Sequence, residues 1–331
     1  MPAASLTTLT TLLDCHPALK NDGEDVIEGL TKKQKTLPAK YFYDSRGSQL
    51  FEQICELPEY YPTRTEASIL RQYAGEIARI TGDCELVELG SGSSTKTRLL
   101  LNAYQALKYA CKYVAVDVSA SILKDSAIQL QVEYPEVHIR GLIGTYEQAL
   151  AQLMPASLPS RMIFFLGSSM GNFTPQECDI FLNQITGVLA PGDYFLIGID
   201  LQKPRGRGIL EAAYNDSQGV TAAFNLNMLD HLNWRFQGNF DTGLFAHQAL
   251  YNQKDNQIEM YLQCQTNHVV TLETLGLNIT WKTGDTILTE ISRKFDLDTV
   301  QQELASKGLK TLKIFTDTKK WFGLILCQAT K

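Results

Sequence analysis

The feature that most limits how this chain can fold is ELVELGSGSSTK at residues 85–96, an apolar strand-like run that ends on a glycine turn and opens a helical pattern. A second apolar run, YVAVD at residues 113–117, ends on the carboxylate of Asp117. In a doubly wound α/β sheet the first glycine turn receives the backbone of a ligand, and an acid at the end of the second strand holds ribose hydroxyls. The pair of runs predicts a Rossmann-like domain for an adenosine cofactor.

The glycines narrow the choice of cofactor. A dinucleotide fingerprint needs a third glycine for close helix packing around a pyrophosphate, but Gly90 and Gly92 are followed by Thr95. A phosphate-cradling P-loop needs glycine directly before the lysine, and Thr95 occupies that place too. S-adenosylmethionine carries no phosphate and needs only room beside Gly90 and Gly92 for its amino-acid part. The pattern E-L-G-x-G followed by V-D therefore points to a class I methyltransferase domain. A tight strand–helix turn without a ligand is the plain alternative.

The 331 residues exceed the roughly 200 of such a domain and leave material for a second unit. A hydrophobic fraction of 44% with 20% charge is that of an ordinary globular chain. The net charge of −6, without a Lys/Arg tract, argues against a nucleic-acid partner, which demands clustered positive charge. Seven cysteines without a C-x-x-C pair read as reduced thiols, and five histidines without ligand spacing give no metal site. No run approaches the roughly 18 apolar residues of a membrane span, and Met1 to Thr8 lacks a basic region ahead of an apolar core. A cytoplasmic protein that touches no membrane is expected.

Helical and strand-like segments alternate from residue 65 to 200. Strands are expected at 138–143, at the apolar run 162–166 and at 194–200, with helices at 96–110, 121–134 and 146–153. Thr174 reads as the cap of a helix with Pro175 at its first position and Glu177 in its first turn. The rhythm stops at the glycine-rich break 203–208, after which a helical stretch through Trp234 gives way to period-two runs at 247–251 and 258–264. Two late strand candidates, 311–315 and 321–327, resemble the antiparallel hairpin that closes many methyltransferase sheets. The expected division is a cofactor domain of residues 65–202 and 296–331, and a second α+β unit of residues 1–64 and 203–295 that binds substrate.

The segments LPAKYFYDSRGSQLFE (37–52) and LPEYYPTRTE (57–66), with GSSMGN (167–172), AAYND (212–216), TAAFN (221–225), IEM (258–260) and TEIS (289–292), give a more specific signal. In this order they resemble the family of histidine-specific, S-adenosylmethionine-dependent methyltransferases, which make hercynine, the trimethylated precursor of ergothioneine. The resemblance covers nearly the whole chain. It implies that Gly90, Lys96 and Asp117, with Gly92 and Gly167 in the same blocks, bind the cofactor, and that Thr145 and Tyr146 contact adenine. Many members carry an acid where this chain has Thr145; a hydroxyl still accepts from the adenine amino group, so weaker binding is expected. The resemblance further implies that Tyr60, Asn172 and Tyr214 grip the α-amino and α-carboxylate groups and align the amine for reaction, and that Glu290 and Ser292 read the imidazole. A monomer is the family-level expectation.

The residues themselves make part of the same case. Glu290 and Ser292 are two apart in a strand-like run, so both side chains emerge on one face and meet one planar ring together. Carboxylate and hydroxyl suit imidazole, and Met260, on one side of a strand with Ile258 and Leu262, would wall the ring or simply fill the core. A solvated Glu beside a cap-like Ser, a turn-forming Asn172 and surface tyrosines are the bland readings. Tyr43, Tyr60, Tyr61 and Phe173 form a candidate aromatic lining for a quaternary ammonium product, and the adjacent Tyr60 and Tyr61 leave the tyrosine assignment open by one. The rival functions are a methyltransferase for another aromatic amino acid such as a tryptophan derivative, a non-catalytic cofactor-binding module, and an NAD oxidoreductase.

Overall fold

The runs CELVEL, SRMIFF and YFLIGID are buried at every residue, as strands covered by helices on both faces must be. They form the centre of an eight-stranded sheet in the computed structural model, which describes residues 11–15, 23–203 and 206–330. In chain order the strands are β1 (Thr11–Asp14), β2 (Lys35–Thr36), β3 (Cys84–Leu89), β4 (Cys111–Asp117), β5 (His138–Ile143), β6 (Ser160–Phe165) and β7 (Tyr194–Asp200). They continue as β8 (Phe245–Asn252), β9 (Gln257–Cys264), β10 (His268–Leu272), β11 (Leu277–Trp281), β12 (Thr286–Arg293), β13 (Leu309–Thr316) and β14 (Phe322–Ala329).

The large sheet runs β1-β5-β4-β3-β6-β7-β14-β13. Its first six strands are parallel, and the late hairpin β13–β14 joins antiparallel at β7, as expected from the sequence. Strand order reverses between β3 and β6, and ligands of such sheets bind in the crevice outside the carboxyl ends at that reversal. The glycine turn after β3 and the GSSMGN loop after β6 both open there. Separate apolar cores pack on the two faces of this sheet.

A third core is built by the N-terminal helices Glu24–Thr31 and Ser45–Glu56, the helix Val220–Phe236 and a four-stranded sheet β2-β12-β9-β8, with the hairpin β10–β11 alongside. Phe42 stacks on Phe224 with ring centroids 4.5 Å apart, joining the N-terminal segment to the later insertion. Thr174 and Glu177 form the expected reciprocal cap, with Pro175 opening the helix Pro175–Val188. Among the described residues no helix is long and apolar enough to cross a membrane.

Three differences from the sequence reading have physical causes. Thr11–Asp14, placed by the sequence reading in the second unit, instead pairs with the open edge of β5, where side-chain-free Gly141 leaves room for Leu12. The expected helix at 146–153 ends at Leu150. The helical stretch before Trp234 is two helices, Arg207–Ala212 and Val220–Phe236, because Asp216 accepts the backbone N–H groups of Val220 and Thr221 and restarts the helix. Residues 204 and 205 of the glycine-rich break, and residues 1–8 of the leader reading, lie outside the described residues.

Candidate active site

At the end of β3 the chain turns through Gly90 and Gly92, with φ of 72° and 49°, values that side chains disfavour. Asp117, at the end of β4, accepts the Gly92 N–H on one oxygen and the Ser119 N–H on the other, each at 2.8 Å. Burial pushes its carboxyl up while these N–H groups oppose the rise. A Cβ at Gly90 would lie 3.4 Å from the Tyr146 hydroxyl, so the absent side chain leaves a space bounded by that phenol. The Ser91 hydroxyl beside it is buried and meets no hydrogen-bond partner among the described residues. An acid, a bare hydroxyl, an aromatic wall and an open glycine turn fit S-adenosylmethionine. Tyr146 is backed edge-on by Phe165, at 5.1 Å, and by Phe173. Thr145 caps the short helix Tyr146–Leu150, its hydroxyl accepting the Gln148 N–H; one of its lone pairs is thus already engaged.

Glu66, on the helix Tyr61–Thr81, was not singled out by the sequence reading, although it closes a quoted block. It is fully buried, pairs with the Lys96 ammonium at 2.5 Å and accepts the Gly167 N–H at 2.9 Å. Burial alone would lower the Lys96 ammonium, and Glu66 outweighs it. One carboxylate therefore ties the N-terminal helix, the start of the helix after the glycine turn, and the loop after β6. Lys96 and Gly167 meet in this tie. Glu88, on β3 beneath the turn, accepts from Thr97 and Tyr113, and burial pushes it up to about 7.

The opposite wall comes from β12. Its pairing with β9 slips by one residue between Leu288 and Glu290, so Ile287 lies opposite Leu262, Glu290 opposite Met260, and Ser292 opposite Ile258. Directly opposed residues share a face, and Ile258, Met260 and Leu262 are all buried. The bulge at Thr289, whose hydroxyl donates to the Met260 carbonyl, thus turns Glu290 and Ser292 inward beside Met260.

Asn172 reaches Glu290 from the GSSMGN loop, its amide donating to Oε2 at 3.5 Å. The approach depends on Gly171, where a Cβ would meet the Arg293 carbonyl oxygen at 2.9 Å. Tyr214 and Ser292 are joined hydroxyl to hydroxyl at 2.8 Å. Behind Tyr214, His247 donates from Nε2 to its backbone carbonyl and accepts from Asn225, an arrangement that requires a neutral ring; burial lowers its pKa in the same sense. Burial pushes Glu290 up to about 7, with the nearby Lys294 ammonium pulling it back.

Tyr60 and Tyr61 part company. The Tyr61 hydroxyl donates to Asp200 at 2.6 Å and its ring carries the Lys203 ammonium at 4.4 Å, so its hydroxyl is committed to the Asp200 cluster. The buried Tyr60 packs edge-on against Tyr214 at 5.9 Å. Tyr43 packs edge-on against Phe51 and Phe224. Of the four aromatic residues grouped from the sequence, Tyr60 lies against Tyr214, Tyr43 joins the Phe51 and Phe224 cluster, Phe173 packs behind Tyr146, and Tyr61 belongs to the Asp200 cluster.

Comparison with known proteins addresses the whole chain. Residues 22–329 match the family model described as histidine-specific methyltransferase, SAM-dependent. A histidine N-alpha-methyltransferase of Mycolicibacterium smegmatis is 43% identical over 91% of this chain and 93% of its own length. The Mycobacterium tuberculosis protein of the same name is 42% identical over 94% and 95%. An L-tryptophan methyltransferase of Psilocybe serbica is 26% identical over 92% of each chain. The glycine turn, the acid at the end of β4 and the inward carboxylate of β12 stand in a chain matched almost end to end, and the chain belongs to the family of histidine-specific, S-adenosylmethionine-dependent methyltransferases.

Proposed function

We propose that this protein transfers three methyl groups in succession to the α-amino nitrogen of free L-histidine, giving the trimethylated betaine hercynine, the precursor of ergothioneine. The observation that carries the substrate choice is the bulge in β12, which sets one carboxylate and one hydroxyl opposite the buried Met260 and Ile258. Glu290 accepts a ring N–H, Ser292 engages the second ring nitrogen, and Asn172, Tyr60 and Tyr214 hold the amino and carboxylate groups. Gly90, Gly92, Asp117, Thr145 and Tyr146 would hold S-adenosylmethionine, with Lys96 and Gly167 fixing the loops around it. The reading takes the chain as a cytoplasmic monomer in which residues 203–295, with much of the N-terminal segment, hold the amino acid and the large sheet holds the cofactor.

When bound, the cofactor supplies a methyl group on a sulfonium centre. What the chain contributes is alignment and a dry pocket, and positioning of this kind supplies much of the barrier reduction in a two-substrate reaction. The attacking amine must be neutral. The α-ammonium of a free amino acid is a weaker acid than a peptide N-terminus, and burial among Tyr60, Tyr214 and Met260 disfavours its charged form and so eases loss of the proton before attack. Each methylation removes an N–H donor that Asn172 or Tyr214 could accept. The faces of Tyr43 and Tyr60 suit the quaternary cation that remains.

Glu290 also separates this reading from a tryptophan methyltransferase, because an indole pocket would leave a buried carboxylate short of partners. The test is mass spectrometry of the products formed from S-adenosylmethionine and histidine over time. Accumulation of α-N-trimethylhistidine is expected. A product that stops at one methyl, or one methylated on the ring, contradicts the proposal.

A further inference from the structure

Lys294 follows β12, fully buried, and the sequence reading assigned it no part. Its three N–H bonds are all directed: to Asp200 Oδ2 at 2.9 Å, to Ser292 Oγ at 2.8 Å and to the Tyr214 hydroxyl at 3.2 Å. Asp200 is also fully buried and is held in place by Lys203 at 2.5 Å and by the Tyr61 hydroxyl at 2.6 Å. Burial would lower the Lys294 ammonium, and Asp200 and Tyr214 more than offset it, so the group stays protonated.

The proton count then restricts what Ser292 can do. Ser292 and Tyr214 bring two hydroxyl protons, and one of them bridges the 2.8 Å between the two oxygens. The phenol is the stronger acid and the better donor, so the bridge runs from Tyr214 to Ser292. Ser292 then accepts twice, from Lys294 and from Tyr214, which fills both its lone pairs. Its own proton has no acceptor among the described residues and is free for a ligand.

We infer that Lys294 is a positioning residue that fixes Ser292 as an obligatory hydrogen-bond donor, so that the pocket admits the neutral imidazole ring with its bare nitrogen on Ser292 and its N–H on Glu290. The inference rests on histidine as the substrate. Charge balance points the same way. The groups facing Lys294 are Asp200 and Lys203 from the end of β7, Tyr61 through Asp200, Tyr214, Tyr251 on β8, and Glu290 on β12. A neutral ring adds no charge beside the buried Lys294 and Lys203 ammonium groups, whereas an imidazolium would place a third cation there. Without Lys294, Ser292 recovers a lone pair and the site loses a cation, so both ring nitrogens can be protonated.

The test is ¹⁵N NMR of ring-labelled histidine bound to the protein with S-adenosylhomocysteine, at a pH about half a unit below the ~6.5 at which a free imidazole titrates. In the wild type one bound ring nitrogen should remain unprotonated. In Lys294→Met that signal should be lost, both nitrogens becoming protonated, and Lys294→Gln, which restores N–H donors without the charge, should bring it back. A wild-type ring protonated at both nitrogens overturns the inference even if neither variant folds, as does a Lys294→Met spectrum identical to the wild type. Failure of histidine to bind the wild type at all would remove the histidine reading and this inference with it; binding with the wrong ring signature removes this inference alone.

Discussion

At the scale of single residues, the buried carboxylates set the pH response. Glu88 is 3% exposed and is pushed up to about 7 from an ordinary value of 4.5. The folded state therefore holds its proton more tightly than the unfolded chain. Its contribution is fully present below the ordinary value and is lost as pH rises through about 7. Glu88→Gln, which keeps an acceptor for Thr97 and Tyr113, should gain stability relative to the wild type between about pH 5 and about pH 8, on the order of 3 kcal/mol by denaturant titration. An unchanged difference across that range would mean that the carboxylate ionises freely. Legibility at this scale was uneven. Glu290 and Ser292 share a face because they are two apart, and Lys294 continues that spacing; the signal was in the sequence, but a lysine two residues on reads as a solvated strand end. Glu66 gave no such signal, since nothing local distinguishes an acid buried against Lys96 from the other acids of a surface helix.

At the scale of elements, two backbone devices assemble the pocket. The β12 bulge re-aims Glu290, and Gly171 lets the loop after β6 lie on the β12 backbone. A methyl group at Gly171 would meet the Arg293 carbonyl at 2.9 Å, backbone that cannot swing aside. Gly171→Ala should therefore raise the KM for histidine at least tenfold while the Kd for S-adenosylhomocysteine, measured calorimetrically, stays within about twofold, since ångström-scale misplacement of a positioning group is expensive. Equal losses for both ligands would instead mean general disruption. The alternating strands and helices of residues 65–200 were readable because continuous apolar runs and 3.6-residue spacing are local properties. The bulge was not, because a one-residue slip is decided by the partner strand. Nor was β1, four residues held by the open edge of β5 and the space over Gly141.

At the scale of the molecule, the N-terminal segment is wound into both halves. It supplies an edge strand to the large sheet, helices to the third core, and Glu66 to the loops around the cofactor crevice. Glu66→Ala leaves Lys96 without its counter-charge and the Gly167 N–H without its acceptor. Lys96 keeps 21% of its side-chain surface, so the destabilisation should fall near the lower end of the about 3–5 kcal/mol typical of broken buried pairs. Weaker S-adenosylhomocysteine binding should accompany it. A stability change below about 1 kcal/mol would show that the tie is not needed. Why the second unit escaped a detailed reading follows from its construction: helices from residues 24–56 and strands from residues 245–293 form one core only by contacts far apart in the chain. The measurement that tests the histidine-reading pocket most directly is a competition assay with equal histidine and tryptophan, comparing kcat/KM ratios for the wild type and Glu290→Ala. The wild type should methylate histidine almost exclusively, and the variant should lose roughly 100-fold of that preference, the worth of a hydrogen bond to a charged group. A wild type that prefers tryptophan, or a variant with an unchanged ratio, would contradict the assignment of Glu290 to the imidazole ring.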